Sequence, residues 1–402
     1  MHRKKQIYNY KITSMKKFKI SLLGKVAIAI VLGIIFGQFL PDGIARIFVT
    51  FNSLFGSFLS FAIPLIILGL VAPAIGDLGK GAGKLLLITT VIAYGSTLAS
   101  GFFTYFSMDA VLPYVIAENA QLSALDNPED MMLSPYFLIA MPPLMDIMTA
   151  LLLSFIVGLG LSTIKGDTLQ KMFVDFKDVM VKLIENAIIP LLPIHIFGIF
   201  LNITKSGQVA SIMAVFIKVI IVIFILHLLI LLILFIIGGV IGKKNPFWML
   251  KTMLPAYTTA LGTQSSAATI PVTLKQVLKL GVSEPVAAFY VPVGAAIHMP
   301  GSMMKITACA MAIMYMVGDP IIFGSFTGFI CMLGVLMIAA PGVPGGAIMA
   351  SIGVLQSMLG FNETQIALMI ALYIAMDSFG TACNVTVDGA VAVVMDKIFH
   401  KK

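Results

Sequence analysis

Long apolar segments recur along this chain and constrain its fold more than any other feature. The most uniform of them runs over Val209–Gly242, longer than the roughly 20 residues that a helix needs to cross a bilayer. Over the whole chain 59% of residues are hydrophobic and 11% are charged, whereas soluble domains carry about 25% charged residues. Too little polar sequence remains to cover a water-facing surface. The sequence therefore predicts an all-α polytopic membrane protein.

Basic residues concentrate at both ends of the chain, and the net charge is +8. Seven lysines and arginines precede residue 20, and Lys397, Lys401 and Lys402 lie at the C-terminal end. By the positive-inside rule, both termini are predicted to be cytoplasmic in a multi-pass protein of the cell membrane. Because this topology accounts for the charge, nucleic-acid binding is not expected.

The first half of the chain divides into six predicted spans. The second span contains Pro64 and Pro73 and is expected to be long and tilted or kinked. Residues 109–134 are polar and are predicted to form an extramembrane loop, and the fourth crossing is expected to be broken near Pro142 and Pro143. The predicted units are a basic N-terminus at 1–20, spans one and two at 21–75, span three at 84–108, spans four and five at 135–203 and span six at 207–243.

In the second half, two apolar runs are interrupted in their middles. A stretch rich in threonine and serine at 258–269 divides the run 246–280, and a Pro/Gly-rich stretch at 339–346 divides the run 320–360. Non-helical backbone at membrane depth is tolerated only where it is buried in protein or lines a cavity. We therefore expect two re-entrant helical hairpins, and the alternative at 258–269 is a surface loop between two membrane-edge helices.

Two further runs are expected to be broken helices. The run 285–317 contains glycine and proline at 294–302, and the carbonyls freed there suit alkali cations. In the run 364–399, Asn384 is expected to interrupt the helix. A hairpin followed by a broken helix, repeated, is the pattern of an inverted repeat, which places substrate and ions near the midplane. The predicted fold has eight transmembrane helices plus two re-entrant hairpins.

Residues 377–388 carry the strongest functional signal. Asp377, Thr381, Asn384 and Asp388 recur at i, i+4, i+7 and i+11, which is one face of a helix. Ionisable side chains at membrane depth are costly, so they are expected to face a protein interior or a wet cavity and to be functional. Broken helices with midplane acids favour a secondary transporter, and no nucleotide-binding GxxxxGK[ST] motif supports an ATP-driven pump in this chain.

Three other classes are alternatives to a transporter. A channel and a non-transporting receptor stay open. An intramembrane aspartyl protease is disfavoured, because Asp377 and Asp388 in one helix would lie about 16 Å apart, too far to share a proton. No enzymatic activity is expected.

Four motifs in the second half resemble those of a known family. They are residues 264–273 (QSSAATIPVT), 292–299 (PVGAAIHM), 342–346 (GVPGG) and 377–388 (DSFGTACNVTVD). The family is the dicarboxylate/amino acid:cation symporters, which have the glutamate-transporter fold. The resemblance implies a homotrimer with a scaffold of the first, second, fourth and fifth helices. The other elements would form a transport domain that moves as an elevator, with the second hairpin as its gate.

The resemblance also implies roles for individual residues. Asp377 would hold the α-ammonium of an amino acid substrate, Asn384 its α-carboxylate, and Asp388 a sodium ion as the coupling ion. The other implied substrate contacts are Ser265, Ser266, Ser302, Val343, Gly345, Gly380 and Thr381. The sodium site would be completed by backbone carbonyls of Gly294, His298, Met299 and Asn384. No other cofactor is expected.

Gly380 is a departure that bears on the substrate. Members of the family with acidic substrates have an arginine there, and the only arginines of this chain are Arg3 and Arg46. A second substrate carboxylate would be buried without its usual partner. We therefore expect sodium-coupled uptake of a small neutral amino acid such as serine, threonine or alanine, as in the sodium:serine/threonine branch. The alternatives are a sodium- or proton-coupled symporter of dicarboxylates or acidic amino acids, with Lys305 as the substitute cation, and a substrate-gated channel-like member.

Further departures bear on the coupling ions. Pro300 removes the carboxylate of one buried cation site, and Ile92 and Ala93 align where hydroxyl ligands are expected, so fewer sodium ions are predicted. Lys305 is either a snorkelling or structurally paired lysine or a tethered ammonium that replaces the missing cation. His298 offers proton coupling, because an imidazole ordinarily titrates near neutral pH.

Overall fold

The computed structural model describes residues 22–79, 84–116, 133–207, 209–341 and 345–399 of the 402-residue chain. Within these ranges the chain forms fifteen α-helices and no strand. In chain order they are α1 (Leu22–Phe39), α2 (Asp42–Gly79), α3 (Lys84–Val115), α4 (Ile147–Thr163), α5 (Thr168–Leu183), α6 (Ile189–Lys205), α7 (Val209–Gly242), α8 (Pro246–Thr263), α9 (Ser266–Lys279), α10 (Glu284–Ile297), α11 (Pro300–Val317), α12 (Phe323–Ala339), α13 (Gly346–Leu359), α14 (Glu363–Ala375) and α15 (Asp377–Phe399). A π-helical segment, Ile184–Ile188, joins α5 to α6.

Seven helices or joined helices among the described residues are long and apolar enough to cross a membrane. They are α1, α2, α3, α7, α15 and the joined pairs α5–α6 and α10–α11. The shorter helices α4, α12, α13 and α14 are also apolar. The predicted all-helical membrane fold is confirmed, while the count of eight spans and two hairpins stays a prediction.

Helix α2 is the long second segment of the chain. It has 38 residues and contains both Pro64 and Pro73. At 1.5 Å per residue it is about 57 Å long, well beyond a hydrocarbon core of about 30 Å, so part of it must project or the helix must tilt. It packs against α4 and α5, while α1 packs against α6.

The structure differs from the sequence prediction at the end of the third span. Helix α3 continues to Val115, so 109–115 are helical rather than part of the predicted loop. Pro113 lies inside this last stretch of the helix. Residues 117–132 of the predicted loop lie outside the described residues.

The predicted fourth crossing, 135–164, also differs, because it is helical only from Ile147. Its first part contains Pro135, Pro142 and Pro143, which lack an N–H and disfavour a helical residue before them. This segment is instead bound to α2, where Arg46 donates a 3.0 Å hydrogen bond to the carbonyl of Ser134. The fourth element is therefore an irregular strap followed by a helix of 17 residues.

The interrupted runs of the second half are pairs of helices with short breaks. Gln264 and Ser265 separate α8 from α9, and Gln264 has a left-handed backbone with φ of 54°. His298 and Met299 separate α10 from α11. Between α12 and α13 lie residues 340–345, of which 342–344 are outside the described residues.

The break in the last run is not where the sequence predicts it. Asn384 lies inside the continuous helix α15, and the interruption falls at Met376, whose φ and ψ of −114° and 12° separate α14 from α15. No glycine or proline marks this position. The next residue, Asp377, contacts Lys305 on α11 and the backbone of Gly345 before α13.

Burial divides the chain into two kinds of helix. Helices α11, α13, α14 and α15 are buried along most of their length. Helices α1, α4 and α7 instead expose many large apolar side chains, as expected where a helix faces lipid. The core therefore lies among the interrupted helices of the second half, and the polar residues of α15 are at its centre.

Candidate functional site

A small cavity lies where the α8–α9 and α12–α13 breaks approach α11, α14 and α15. Its volume of about 30 Å³ is room for a water molecule or two rather than for an amino acid. Its lining residues are Gln264, Ser266, Met299, Ser302, Pro341, Ala347, Tyr373, Asp377, Thr381 and Asn384. Among these, Asp377 has the only charged side chain.

Asp377 joins three parts of the structure. One carboxylate oxygen, Oδ1, lies 3.2 Å from Nζ of Lys305 on α11. The other, Oδ2, accepts a 2.9 Å hydrogen bond from the backbone N–H of Gly345, which precedes α13. Gly345 has φ of 76°, a conformation that glycine adopts without steric cost and that points its N–H at the carboxylate. The carboxylate is also at the first turn of α15, where the helix dipole stabilises negative charge.

Lys305 is buried in the core of the protein, with only 1% of its surface exposed. Besides Asp377, its ammonium donates to the carbonyl of Met376 at 3.3 Å and lies 3.8 Å from the ring centroid of Tyr373. A lysine that snorkels would instead end at a polar surface. The structure therefore places a compensated positive charge directly beside the acidic side chain of the cavity.

Gly380 provides the space for Lys305. A Cβ at position 380 would lie 2.5 Å from Lys305 Nζ and closer still to its Cε. Any side chain at position 380 would therefore have to displace the lysine. Positions 380 and 305 are therefore sterically coupled.

Asn384 braces the first turn of α11. Its Oδ1 accepts a 2.8 Å hydrogen bond from the N–H of Gly301, and its Nδ2 donates to Ser302 Oγ at 3.2 Å. These bonds satisfy an amide that would otherwise be unpaired in the interior. They also explain why the asparagine is accommodated within a helix instead of interrupting it.

Asp388 forms a second buried acidic centre, about three turns beyond Asp377 on α15. Its Oδ1 lies 2.9 Å from His298 Nδ1 and accepts a 3.0 Å hydrogen bond from the Tyr290 hydroxyl. The other ring nitrogen of His298, Nε2, lies 3.1 Å from Ser96 Oγ on α3. Neither Asp388 nor His298 lines the cavity around Asp377.

The residues around Asp388 are compatible with sodium. Asp388 lies close to Gly294, in the last turn of α10 before the helix break, and a carboxylate with free carbonyls nearby supplies the hard oxygen donors that such cations prefer. Both hydrogen bonds to this carboxylate go to Oδ1, and neither goes to Oδ2. Asp388 would hold the ion together with the backbone carbonyls predicted from the sequence, those of Gly294, His298, Met299 and Asn384, and the ion would neutralise the carboxylate. At Pro300 no carboxylate is present for a second ion.

Of the remaining predicted site residues, some line the cavity and others lie elsewhere. Ser266, Ser302 and Thr381 line the cavity, whereas the Ser265 hydroxyl accepts a hydrogen bond from the N–H of Ala268 and caps α9. Gly294 lies against Asp388, where a Cβ would be 2.9 Å from its Oδ1. Val343 lies outside the described residues.

Several contributing residues were not identified from the sequence. Tyr290 and Ser96 contact the Asp388 centre, and the Ser100 hydroxyl donates to the carbonyl of Pro300 at 2.9 Å. The expected lack of hydroxyl ligands at Ile92 and Ala93 stays a prediction. Ser96, Ser100 and Thr104 recur every four residues on one face of α3, a pattern that could have pointed to this polar face.

Comparison with known proteins adds a family match and two relatives. The model of the sodium:dicarboxylate symporter family matches residues 22–398. Excitatory amino acid transporter 5 of Homo sapiens is 33% identical over 162 residues, which cover 40% of this chain and 29% of that protein. The Mus musculus protein of the same name is 33% identical over 163 residues, with the same coverage. The match thus spans less than a third of the length of either relative.

Proposed function

The chain belongs to the sodium:dicarboxylate symporter family, and from this premise we propose that it couples sodium entry to uptake of a small neutral amino acid. The substrates that fit are serine, threonine and alanine. The α-ammonium of the substrate binds Asp377, and sodium binds at Asp388. The serine/threonine branch of the family is part of this proposal.

One observation carries the choice of substrate: the binding region holds one carboxylate and one ammonium, 3.2 Å apart. A neutral amino acid is a zwitterion and also brings one charge of each sign. When it binds, every charge in the site keeps a partner of opposite sign. A buried charge without a partner costs several kcal/mol, about 3–5 in mutational studies, so charge balance decides which substrates are accepted.

An acidic amino acid, which the names of the two relatives suggest, brings one more negative charge than this site can pair. In the described residues around the cavity, Lys305 is the cation in contact with Asp377, and Gly380 has no side chain to add a second. A C4-dicarboxylate without an amino group would leave Asp377 in competition with the substrate for the same lysine. Both are therefore disfavoured.

The proposal includes the family mechanism and assembly. The interrupted helices of the second half, together with α3 and α7, form the mobile transport domain of a homotrimer in the cell membrane, with cytoplasmic termini. The α12–α13 pair acts as gate, which is supported by the hydrogen bond from Gly345 to Asp377, a residue that lines the cavity. Opening this pair would enlarge a cavity of about 30 Å³ to accept an amino acid.

Uptake into proteoliposomes of the purified full chain tests the proposal. Radiolabelled L-serine, L-threonine, L-alanine, L-aspartate and succinate are compared with an inward sodium gradient, an inward proton gradient and no gradient. We expect sodium-driven accumulation of the three neutral amino acids and none by the Asp377→Asn variant. Accumulation of aspartate or succinate in preference to serine would overturn the substrate, and accumulation driven by protons alone would overturn the coupling ion.

A further inference from the structure

We propose that Lys305 is a specificity-determining residue that exchanges partners: it pairs with Asp377 until a zwitterion arrives, and then binds the substrate carboxylate. This inference rests on the proposed function and names the chemistry by which the site recognises its substrate. It requires both an ammonium and a carboxylate on the ligand. Neither charge alone is sufficient.

The partner of Asp377 in this structure is chemically the same as the group that this carboxylate is proposed to bind. Lys305 Nζ is a primary ammonium 3.2 Å from Asp377 Oδ1. A substrate ammonium that binds the same carboxylate must compete with it. A ligand with only an amine would release Lys305 into the interior without a carboxylate, which costs as much as the new pair gains.

An incoming substrate carboxylate finds Lys305 within reach. The ammonium and carboxylate of an α-amino acid are attached to one carbon, and the two protein charges are 3.2 Å apart. Partner exchange therefore converts one ion pair into two and leaves no charge unpaired. The contacts of Lys305 with the Met376 carbonyl and the Tyr373 ring do not involve Asp377, so they hold the ammonium in place during the exchange.

The side-chain amide of Asn384 is already engaged by the protein. Its oxygen and nitrogen bond Gly301 and Ser302 at the start of α11. It can support a substrate but supplies no positive charge. Gly380 keeps the path of Lys305 along α15 open, because any side chain there would collide with it.

The experiment compares three ligands on the purified full chain by thermal unfolding at increasing ligand concentration. L-serine carries both charges, ethanolamine is serine without the carboxylate, and 3-hydroxypropanoate is serine without the ammonium. The variants are Lys305→Met, Asp377→Asn and the matched control Lys279→Met, an exposed lysine near the end of α9. All are measured in saturating sodium.

In the unchanged protein, we expect both truncated ligands to bind more weakly than L-serine by on the order of 100- to 1,000-fold, the cost of leaving one buried charge unpaired. Lys305→Met should invert this preference, because Asp377 is then free to bind ethanolamine, while the serine carboxylate has no partner. Asp377→Asn should bind 3-hydroxypropanoate through the freed lysine. Lys279→Met should behave as the unchanged protein.

Two outcomes separate the inference from the proposed function. If L-serine binds and Lys305→Met keeps the original preference for it over ethanolamine, Lys305 does not bind the carboxylate and the inference is wrong. If no neutral amino acid binds the unchanged protein, the proposed function itself is wrong. Should Lys305→Met fail to fold, the Asp377→Asn arm decides: equal affinity for 3-hydroxypropanoate in the variant and the unchanged protein overturns the inference.

Discussion

Helix α15 holds two buried carboxylates, each beside one basic side chain, yet the two centres are built differently. Asp377 is paired with a lysine, lines the cavity and binds the backbone of the segment before α13. Asp388 is paired with a histidine, lies away from the cavity and is held by hydrogen bonds from α10 and from the α10–α11 break.

The difference shows at which centre a protein side chain can be exchanged for a substrate group. A lysine ammonium is a strongly hydrated point charge on a flexible stem, so it can change partners but cannot be left without one. An imidazole can be neutral, and His298 is fixed from both sides by Asp388 and Ser96. We infer that a side chain exchanges with the substrate at Asp377, whereas the side chains around Asp388 stay in place when the ion binds and leaves.

Removing the lysine is expected to have the largest effect. Lys305→Met leaves the Asp377 carboxylate buried without its ammonium, and its free energy of unfolding should fall by about 3–5 kcal/mol. Adding Asp377→Asn removes the orphaned charge and should restore most of that loss. Equilibrium unfolding in mixed micelles measures both; equal stability of Lys305→Met and the unchanged protein would show that the pair is dispensable.

Removing a hydrogen bond at the second centre should lower stability without altering substrate binding. Tyr290→Phe deletes the hydroxyl donor to Asp388, a bond to a charged group worth about 1.5–3 kcal/mol. Because Asp388 lies outside the cavity, the apparent affinity for L-serine at saturating sodium should not change. Tyr257→Phe, which loses a hydrogen bond to the His227 ring instead, is the matched control. A parallel fall of stability and serine affinity in Tyr290→Phe would erase the distinction between the centres.

Crowding the lysine should give the smallest change in stability. In contrast to the loss of the Tyr290 hydroxyl, it should also change substrate binding. Gly380→Ala places a Cβ against the end of Lys305, and overpacking of this kind costs about 1–3 kcal/mol. The displaced ammonium should weaken L-serine binding while the sodium concentration for half-maximal uptake stays the same. Gly95→Ala on α3, where a Cβ meets no atom within 4 Å, provides the control. Unchanged serine affinity in Gly380→Ala would argue against the coupling of positions 305 and 380.

Much of the architecture was predictable because it follows from periodicity and composition. The apolar runs identified the membrane helices, and the spacing of Asp377, Thr381, Asn384 and Asp388 agrees with their common location on α15. Proline and glycine marked the break at His298–Met299. These signals are local, so they can be recognised in the sequence without knowledge of the fold.

The errors have tertiary causes. The break at Met376 has no local signal, and the predicted break at Asn384 is wrong because Gly301 and Ser302 satisfy its amide inside a continuous helix. The apolar side chains before α4 predict a membrane span, whereas the prolines of this strap and the hydrogen bond from Arg46 decide its path.

The sequence by itself determined that this is a membrane protein with acidic side chains in its interior, because hydrophobicity and helical spacing are properties of the chain. It also showed that Lys305 was present and that an arginine at position 380 was absent. Only the tertiary structure showed that these two positions are in steric contact. The lysine reaches Asp377 from another helix through the space that Gly380 leaves, and a contact between residues 72 positions apart is set by packing rather than by any local pattern.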